Sequence, residues 1–336
     1  MTLPSSAPQP IQPPDPDFWP GRIAPDFLVS GLDATPATFY ERYCGRSAVV
    51  MFASDARLLS PFSGLAARTQ LLGILSRPTD ANIDFGFPIL EDNEGWLAQA
   101  FLGEAAVAEP VALVLRPTLA IAARLASPTI TAIGAALDAL PPQVVRVCEE
   151  SAPVLMVPDV LPQALCARLI AAHDADNFES GMLRQANGAV VLEPDPGTKK
   201  RRDHRLEDVA LVDAVTAALS ERLVPAIARA FHYPVTHMEG YKVVAYDAAT
   251  GGYFRPHRDN TTPDARHRRF ALSLNLNADY EGGELVFPEF GACRYRPPTG
   301  GALVFSGTHL HAARDVTVGK RYVLLTFMWG DEVRGQ

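Results

Sequence analysis

Apolar positions follow two different rhythms along the chain. Between residues 47 and 139, short apolar runs alternate with stretches of helical spacing. The run Ser47-Ala48-Val49-Val50-Met51-Phe52-Ala53 reads as a buried strand, and Pro88-Ile89-Leu90 and Val111–Leu115 as further strands. Residues 62–76, 94–102 and 129–139 carry helical spacing. Strands alternating with helices predict an α/β domain. Residues 146–160 form the joint between this unit and a second one. Residues 162–175 predict an amphipathic helix, and 205–231 a longer one that Pro225 kinks or breaks. Residues 184–204 hold neither period and carry Gly188, Pro194, Pro196 and Gly197, which predicts a long loop of the kind that often serves as a lid. From Gly240 onward the rhythm changes to short apolar runs divided by Gly, Pro and Asn, at 241–246, 253–257, 269–276, 284–287, 302–305, 310–314 and 321–329. Many short strands at such spacing predict a sandwich or barrel, of which the jelly roll is one form.

Composition sharpens this picture in a few places. The 336 residues favour two domains. Many of the prolines crowd into the N-terminal stretch, so residues 1–16 predict an extended, poorly ordered tail. That stretch has neither the basic nor the apolar segment of a signal peptide, and no apolar run is long enough for a membrane span. Cys44, Cys148, Cys166 and Cys293 are far apart and form no C-x-x-C, which fits a reducing, cytoplasmic setting. Residues 1–150 carry 9 basic against 16 acidic side chains, and 151–336 carry 21 against 22. Neither half is basic enough for general nucleic-acid binding. Two local basic runs remain, Lys199-Lys200-Arg201-Arg202 and Arg266-His267-Arg268-Arg269. They are either solvated loops or the approach to a site for an anion.

The candidate chemistry begins at Tyr253-Phe254-Arg255-Pro256-His257-Arg258-Asp259-Asn260. On a strand, positions i and i+2 share a face, so His257 and Asp259 can aim at one point. His309 and His311 come later, next to the apolar run Ala302–Phe305. Two histidines and a carboxylate can hold non-haem Fe(II) and leave coordination positions open. Arg321 lies ten residues beyond His311 at the start of an apolar run, Tyr322–Phe327. A buried guanidinium there needs an anionic partner, and a dicarboxylate would supply one.

With those residues in place, 155–330 resembles the Fe(II)- and 2-oxoglutarate-dependent dioxygenases, in particular the prolyl 4-hydroxylase branch. The resemblance is carried by Val243-Val244-Ala245-Tyr246, His257-Arg258-Asp259, Leu274-Asn275-Leu276-Asn277, Glu281-Gly282-Gly283-Glu284-Leu285-Val286-Phe287-Pro288, Gly300–Phe305, His311 and Gly319-Lys320-Arg321-Tyr322. It implies a double-stranded β-helix (jelly-roll) with flanking helices. It implies His257, Asp259 and His311 as iron ligands, Arg321 as partner of the distal carboxylate of 2-oxoglutarate, and Tyr246 and Asn275 as further cosubstrate contacts. The implied cofactors are Fe(II), 2-oxoglutarate and O2, with ascorbate as reductant. His309 competes with His311 for the third ligand. The spacing to Arg321, and to Phe305 as in the family pattern, favours His311. Phe254 stands where many prolyl hydroxylases have tyrosine, so Tyr253 or Tyr246 would have to replace that hydroxyl. Asp259 favours hydroxylation over halogen transfer, because relatives that halogenate have a small residue there.

Residues 17–150 resemble the peroxiredoxin branch of the thioredoxin fold. The carriers are Pro20-Gly21-Arg22-Ile23-Ala24-Pro25-Asp26-Phe27, the strand at 47–53, Leu90-Glu91-Asp92-Asn93-Glu94-Gly95 and Pro110–Leu115. Peroxide chemistry needs a thiolate after that strand. Residues 54–64 contain none, so this domain is expected to be redox-inactive.

The expectation is thus a thioredoxin-like α/β domain over 17–150 joined to a dioxygenase domain over 155–336. The enzyme would hydroxylate a C–H of a peptide, a protein side chain or an amino-acid-like small molecule and release succinate and CO2. Desaturation or cyclisation on the same scaffold is one alternative, and a degenerate two-domain binding protein is another. A working peroxiredoxin with an accessory barrel is disfavoured by the missing cysteine. No membrane partner is expected, and a homo-oligomer is left open. Arg201 and Arg202 on the expected lid are candidates to face substrate.

Overall fold

The computed structural model describes residues 20–30, 35–77, 84–104, 107–145, 147–186 and 189–331. The tail expected over 1–16 lies outside them. The chain divides into two compact units, Ser6–Val145 and Arg146–Gln336. Among the described residues, no helix is long and apolar enough to cross a membrane.

The first unit is built on a five-stranded sheet in the order Ile89–Glu91, Gln70–Leu75, Ala48–Ala53, Val111–Leu115, Ile121–Ala126. The first three strands are mutually parallel, and the last two join antiparallel. Alternate residues explain why the central strands read as unbroken apolar runs. Val50, Phe52, Leu72, Ile74 and Leu113 pack into one core, and Val49, Met51, Leu71, Leu75 and Val114 into another. A sheet covered on both faces has no polar side. The helix expected over 62–76 is replaced by a 3-10 segment, Ser60–Ala67, and the strand Gln70–Leu75. Gly64 disfavours a regular helix in the first part. The apolar spacing of the second part serves a strand buried on both sides.

The second unit carries two antiparallel sheets. The larger one runs Leu155–Val157, Ala302–Ser306, Phe270–Asn275, Val316–Trp329, Lys242–Asp247, Arg202–Arg205, Phe178–Glu179. The smaller one runs Lys199–Lys200, Tyr253–His257, His311–Ala313, Leu285–Val286, Arg294–Tyr295. Val244, Tyr246, Ala271, Leu303, Phe305 and Val323 of the large sheet share one core with Leu285, Phe287 and Ala313 from the small one. This is the jelly-roll arrangement that the strand spacing predicts. The chain crosses between sheets through residues 248–252. There a Cβ on Gly252 would lie 2.5 Å from the Asp247 nitrogen, an approach only glycine permits.

Helices flank the barrel. Gln163–Ala175 matches the expected amphipathic segment. The helix expected over 205–231 is divided into Val209–Ala218, a π-turn at Leu219–Leu223 and Val224–Phe231. Pro225 falls in the first turn of the last piece, where its missing N–H is tolerated. The loop expected over 184–204 is not a loop. It contains the hairpin Met182–Ala186 with Ala189–Glu193, then Lys199–Lys200 and Arg202–Arg205. Lys199–Lys200 edges the small sheet and Arg202–Arg205 lies between Lys242–Asp247 and Phe178–Glu179 in the large one, so Lys199 to Arg205 passes from one sheet to the other.

Candidate active site

The antiparallel pairing of Tyr253–His257 with His311–Ala313 sets His257 directly opposite His311, next to an irregularity in the ladder. Asp259 lies two residues further on, and its backbone N–H is held by the Gly307 carbonyl at 2.9 Å. His257 Nε2 lies 3.5 Å from Asp259 Oδ1, and His311 Nε2 lies 3.4 Å from Asp259 Oδ2. One ligand atom from each residue lies within 4.8 Å of the others, and this is the one such group of three among the described residues.

Both imidazoles face a backbone carbonyl with their other nitrogen. His257 Nδ1 is 2.8 Å from the Arg255 oxygen, and His311 Nδ1 is 3.0 Å from the His309 oxygen. Donation from Nδ1 leaves the Nε2 lone pairs aimed at the shared point, as a metal ligand requires. Phe254 stacks on His257 at 3.5 Å between ring centroids, and Phe305 packs 4.6 Å from His311. Burial alone would push the Asp259 carboxyl up; the His257 hydrogen bond and the charges of His311, His257 and Arg268 outweigh it and hold the pKa below the usual range. Burial holds His311 below the ordinary histidine value, against the pull of Asp259. A carboxylate set between two imidazole nitrogens is the donor set that suits Fe(II).

His309 takes no part in this group. Its ring packs 4.9 Å from Phe290, and only its carbonyl reaches the site, through His311. Nor do the histidines at 173, 204, 232, 237 and 267 join any cluster of three.

Arg321 lies opposite Tyr246 in the large sheet, inside the same cavity as the triad. It is 2% exposed. Its described hydrogen bonds go to neutral groups, from Nε and Nη2 to Asn275 Oδ1 and from Nη2 to Ser273 Oγ. A guanidinium this deep without a carboxylate beside it is set to receive one from a ligand.

Tyr246 also lines the cavity, and its hydroxyl accepts a hydrogen bond from Arg201 Nη1 at 3.0 Å. That leaves the phenolic hydrogen free to donate. Tyr253 does not replace the hydroxyl missing at Phe254, because its own binds the Pro196 carbonyl.

Asn275 is placed otherwise than the family pattern suggests. It does not line the cavity. Its Nδ2 donates to the Tyr280 hydroxyl and the Pro297 carbonyl, and its Oδ1 is taken by Arg321. Its hydrogen-bonding capacity is used up, with Oδ1 on the guanidinium and Nδ2 anchored to Tyr280 and Pro297. Asn275→Ala is therefore expected to raise KM for 2-oxoglutarate about tenfold with a smaller change in kcat; succinate release at varied cosubstrate measures both.

Arg201 faces the cavity, held by Asp203 at 2.8 Å, whereas Arg202 turns away to Asn177. Burial works against the Arg201 charge, but Tyr246 and Asp203 outweigh it and raise its pKa. Sequence reasoning missed Ser273 and Lys242 in the cavity wall. Counting in twos from Asn275 and Tyr246 along their strands would have found both.

Residues 241–329 match the model of the 2OG-Fe(II) oxygenase superfamily. Over 188 residues the chain is 28% identical to a PKHD-type hydroxylase of Xanthomonas campestris, covering 52% of this chain and 77% of that protein. A PKHD-type hydroxylase of Pseudomonas paraeruginosa is 34% identical over 88 residues, 24% of this chain and 38% of its own. Among solved structures, a Pseudomonas putida prolyl-4-hydroxylase aligns with a TM-score of 0.40 at 20% identity, over 53% of this chain and 92% of its own. The second unit thus carries a 2OG-Fe(II) oxygenase domain, and the protein is a 2-oxoglutarate-dependent dioxygenase.

Proposed function

We propose that this enzyme hydroxylates an aliphatic C–H of a peptide side chain or an amino-acid-like molecule, with His257, Asp259 and His311 holding Fe(II) and Arg321 holding the distal carboxylate of 2-oxoglutarate. The observation that carries the reading is the joint placement of a two-histidine, one-carboxylate group and an anion-seeking Arg321 in one cavity. Iron, when bound, supplies the O2-dependent oxidation that converts 2-oxoglutarate to succinate and CO2. The chain's own residues do the rest. The triad leaves coordination positions open, Arg321 and Tyr246 orient the cosubstrate, and Phe254, Phe305 and Phe327 keep the cavity wall apolar. Ascorbate would maintain the metal in its reduced form.

For the first unit, the strand order and directions support a thioredoxin-like domain of peroxiredoxin type without redox activity. Cys44 is exposed and precedes the strand Ala48–Ala53, and no cysteine stands after that strand at the position peroxide chemistry needs. The four free thiols suit a reducing, cytoplasmic setting.

The test is succinate release followed by NMR, with Fe(II), ascorbate, O2 and 2-oxoglutarate. Succinate without added substrate, rising with a true substrate whose product gains one oxygen from 18O2, supports hydroxylation. A product lighter by two hydrogens instead indicates desaturation or cyclisation. Absence of both 2-oxoglutarate binding and succinate rejects the oxygenase reading.

A further inference from the structure

Besides Arg321 and Arg201, the cavity wall carries a third cation, Lys242. Residues 242, 244 and 246 share the inner face of the Lys242–Asp247 strand. Tyr246 lies opposite Arg321, and Lys242 opposite Leu325. Lys242 is therefore four residues along both strands from the Arg321 pole, about 13 Å at the rise of a strand. Both line the same cavity, of about 710 Å³ counting the space open to solvent. The Arg321 end is buried, and the Lys242 end is exposed.

The other cations here have partners. Arg201 is paired with Asp203, and Arg268 with Glu239. The Lys242 ammonium forms no hydrogen bond or ion pair with any described residue. Asp203 acts on it electrostatically, but Arg201 and Ser180 occupy its oxygens, and Glu239 of the same cavity wall is taken by Arg268. Crowding against the wall lowers the Lys242 pKa; Asp203 opposes this, and Arg201, Arg205 and Arg268 add to it. An incoming carboxylate would relieve that positive excess. It is not the far end of 2-oxoglutarate, because with its distal carboxylate on Arg321 that end would face the triad of His257, Asp259 and His311.

We propose that Lys242 binds a carboxylate of the substrate, so that the molecule oxidised is an acid presented from the open end of the cavity. The inference rests on the oxygenase reading above. The carboxylate has two sources, the α-carboxylate of a free amino acid or an acidic side chain within a peptide.

The experiment uses the full chain loaded with Mn(II) and 2-oxoglutarate. Ligand-observed NMR relaxation measures binding of the twenty L-amino acids, of the N-acetyl amides of aspartate and glutamate, and of the carboxamide counterpart of each. Wild type, Lys242→Met and Lys200→Met are compared. The expected result is that at least one acid outbinds its carboxamide by about tenfold or more. Lys242→Met should abolish that preference and Lys200→Met keep it, with 2-oxoglutarate affinity equal in all three. The acid that binds identifies the source. The proposal is overturned if no acid outbinds its carboxamide, if Lys242→Met retains the preference, or if Lys200→Met loses it too. Failure of wild type to bind 2-oxoglutarate would instead overturn the underlying oxygenase reading.

Discussion

Asp259→Ala is expected to reduce succinate release to background, a loss well beyond the ~10–100-fold typical when only an outer-shell partner of a ligand is removed. Asp259 is the one anionic member of the triad and stands between both Nε2 atoms. Without it, two imidazoles remain. The backbone anchor from Asp259 to Gly307 involves no side chain, so the fold is expected to survive. Titration with Fe(II) under anaerobic conditions would separate loss of metal affinity from loss of turnover. His309→Ala is the counterpart. Its side chain faces Phe290 and only its carbonyl serves His311, so metal affinity and turnover should stay near those of wild type. If His309→Ala abolished turnover and Asp259→Ala kept it, the ligand set would be wrong.

Arg321→Leu is expected to raise KM for 2-oxoglutarate by about a hundredfold, the scale of a charge-assisted, two-point contact. Metal affinity should hold, because Arg321 forms no bond with the triad. The stability response should run the other way. A buried guanidinium held only by neutral oxygens is costly, and leucine suits the wall formed with Val323 and Leu325. Without cosubstrate, the variant should melt at or above the wild-type temperature. Saturating 2-oxoglutarate should raise the wild-type Tm and leave the variant unmoved. Thermal melts with and without the cosubstrate check both halves. Equal stabilisation of the two proteins by 2-oxoglutarate would remove Arg321 from the site.

How far the sequence carries these arguments depends on the range of the interactions. The H-x-D pair and Arg321 are legible because strand parity and a costly buried charge are local facts. So are most barrel strands, whose apolar runs end at glycine and proline. The segment 62–76 reads as a helix because a strand buried on both faces has the same apolar density as one. The segment 184–204 reads as a loop because Lys199–Lys200 and Arg202–Arg205 are short and take their order from partner strands distant in sequence, which no local period records. Asn275 reads as a ligand contact because position alone does not show that Arg321, Tyr280 and Pro297 consume all its hydrogen bonds. Lys242 escapes notice because an unpaired cation is recognised only when its surroundings are known.

The pairing of His257 with His311 also bears on how the protein comes to be active. These two residues are 54 positions apart in sequence, and Tyr246 and Arg321 are 75 apart. Such long-range ladders close late and slowly during folding. A partly folded chain therefore offers His257 and Asp259 as a weak two-point chelate and no cosubstrate pole. Loading with metal should come after closure of the barrel, and the fraction of chains able to hold it tightly becomes a direct count of molecules that have found the correct strand register.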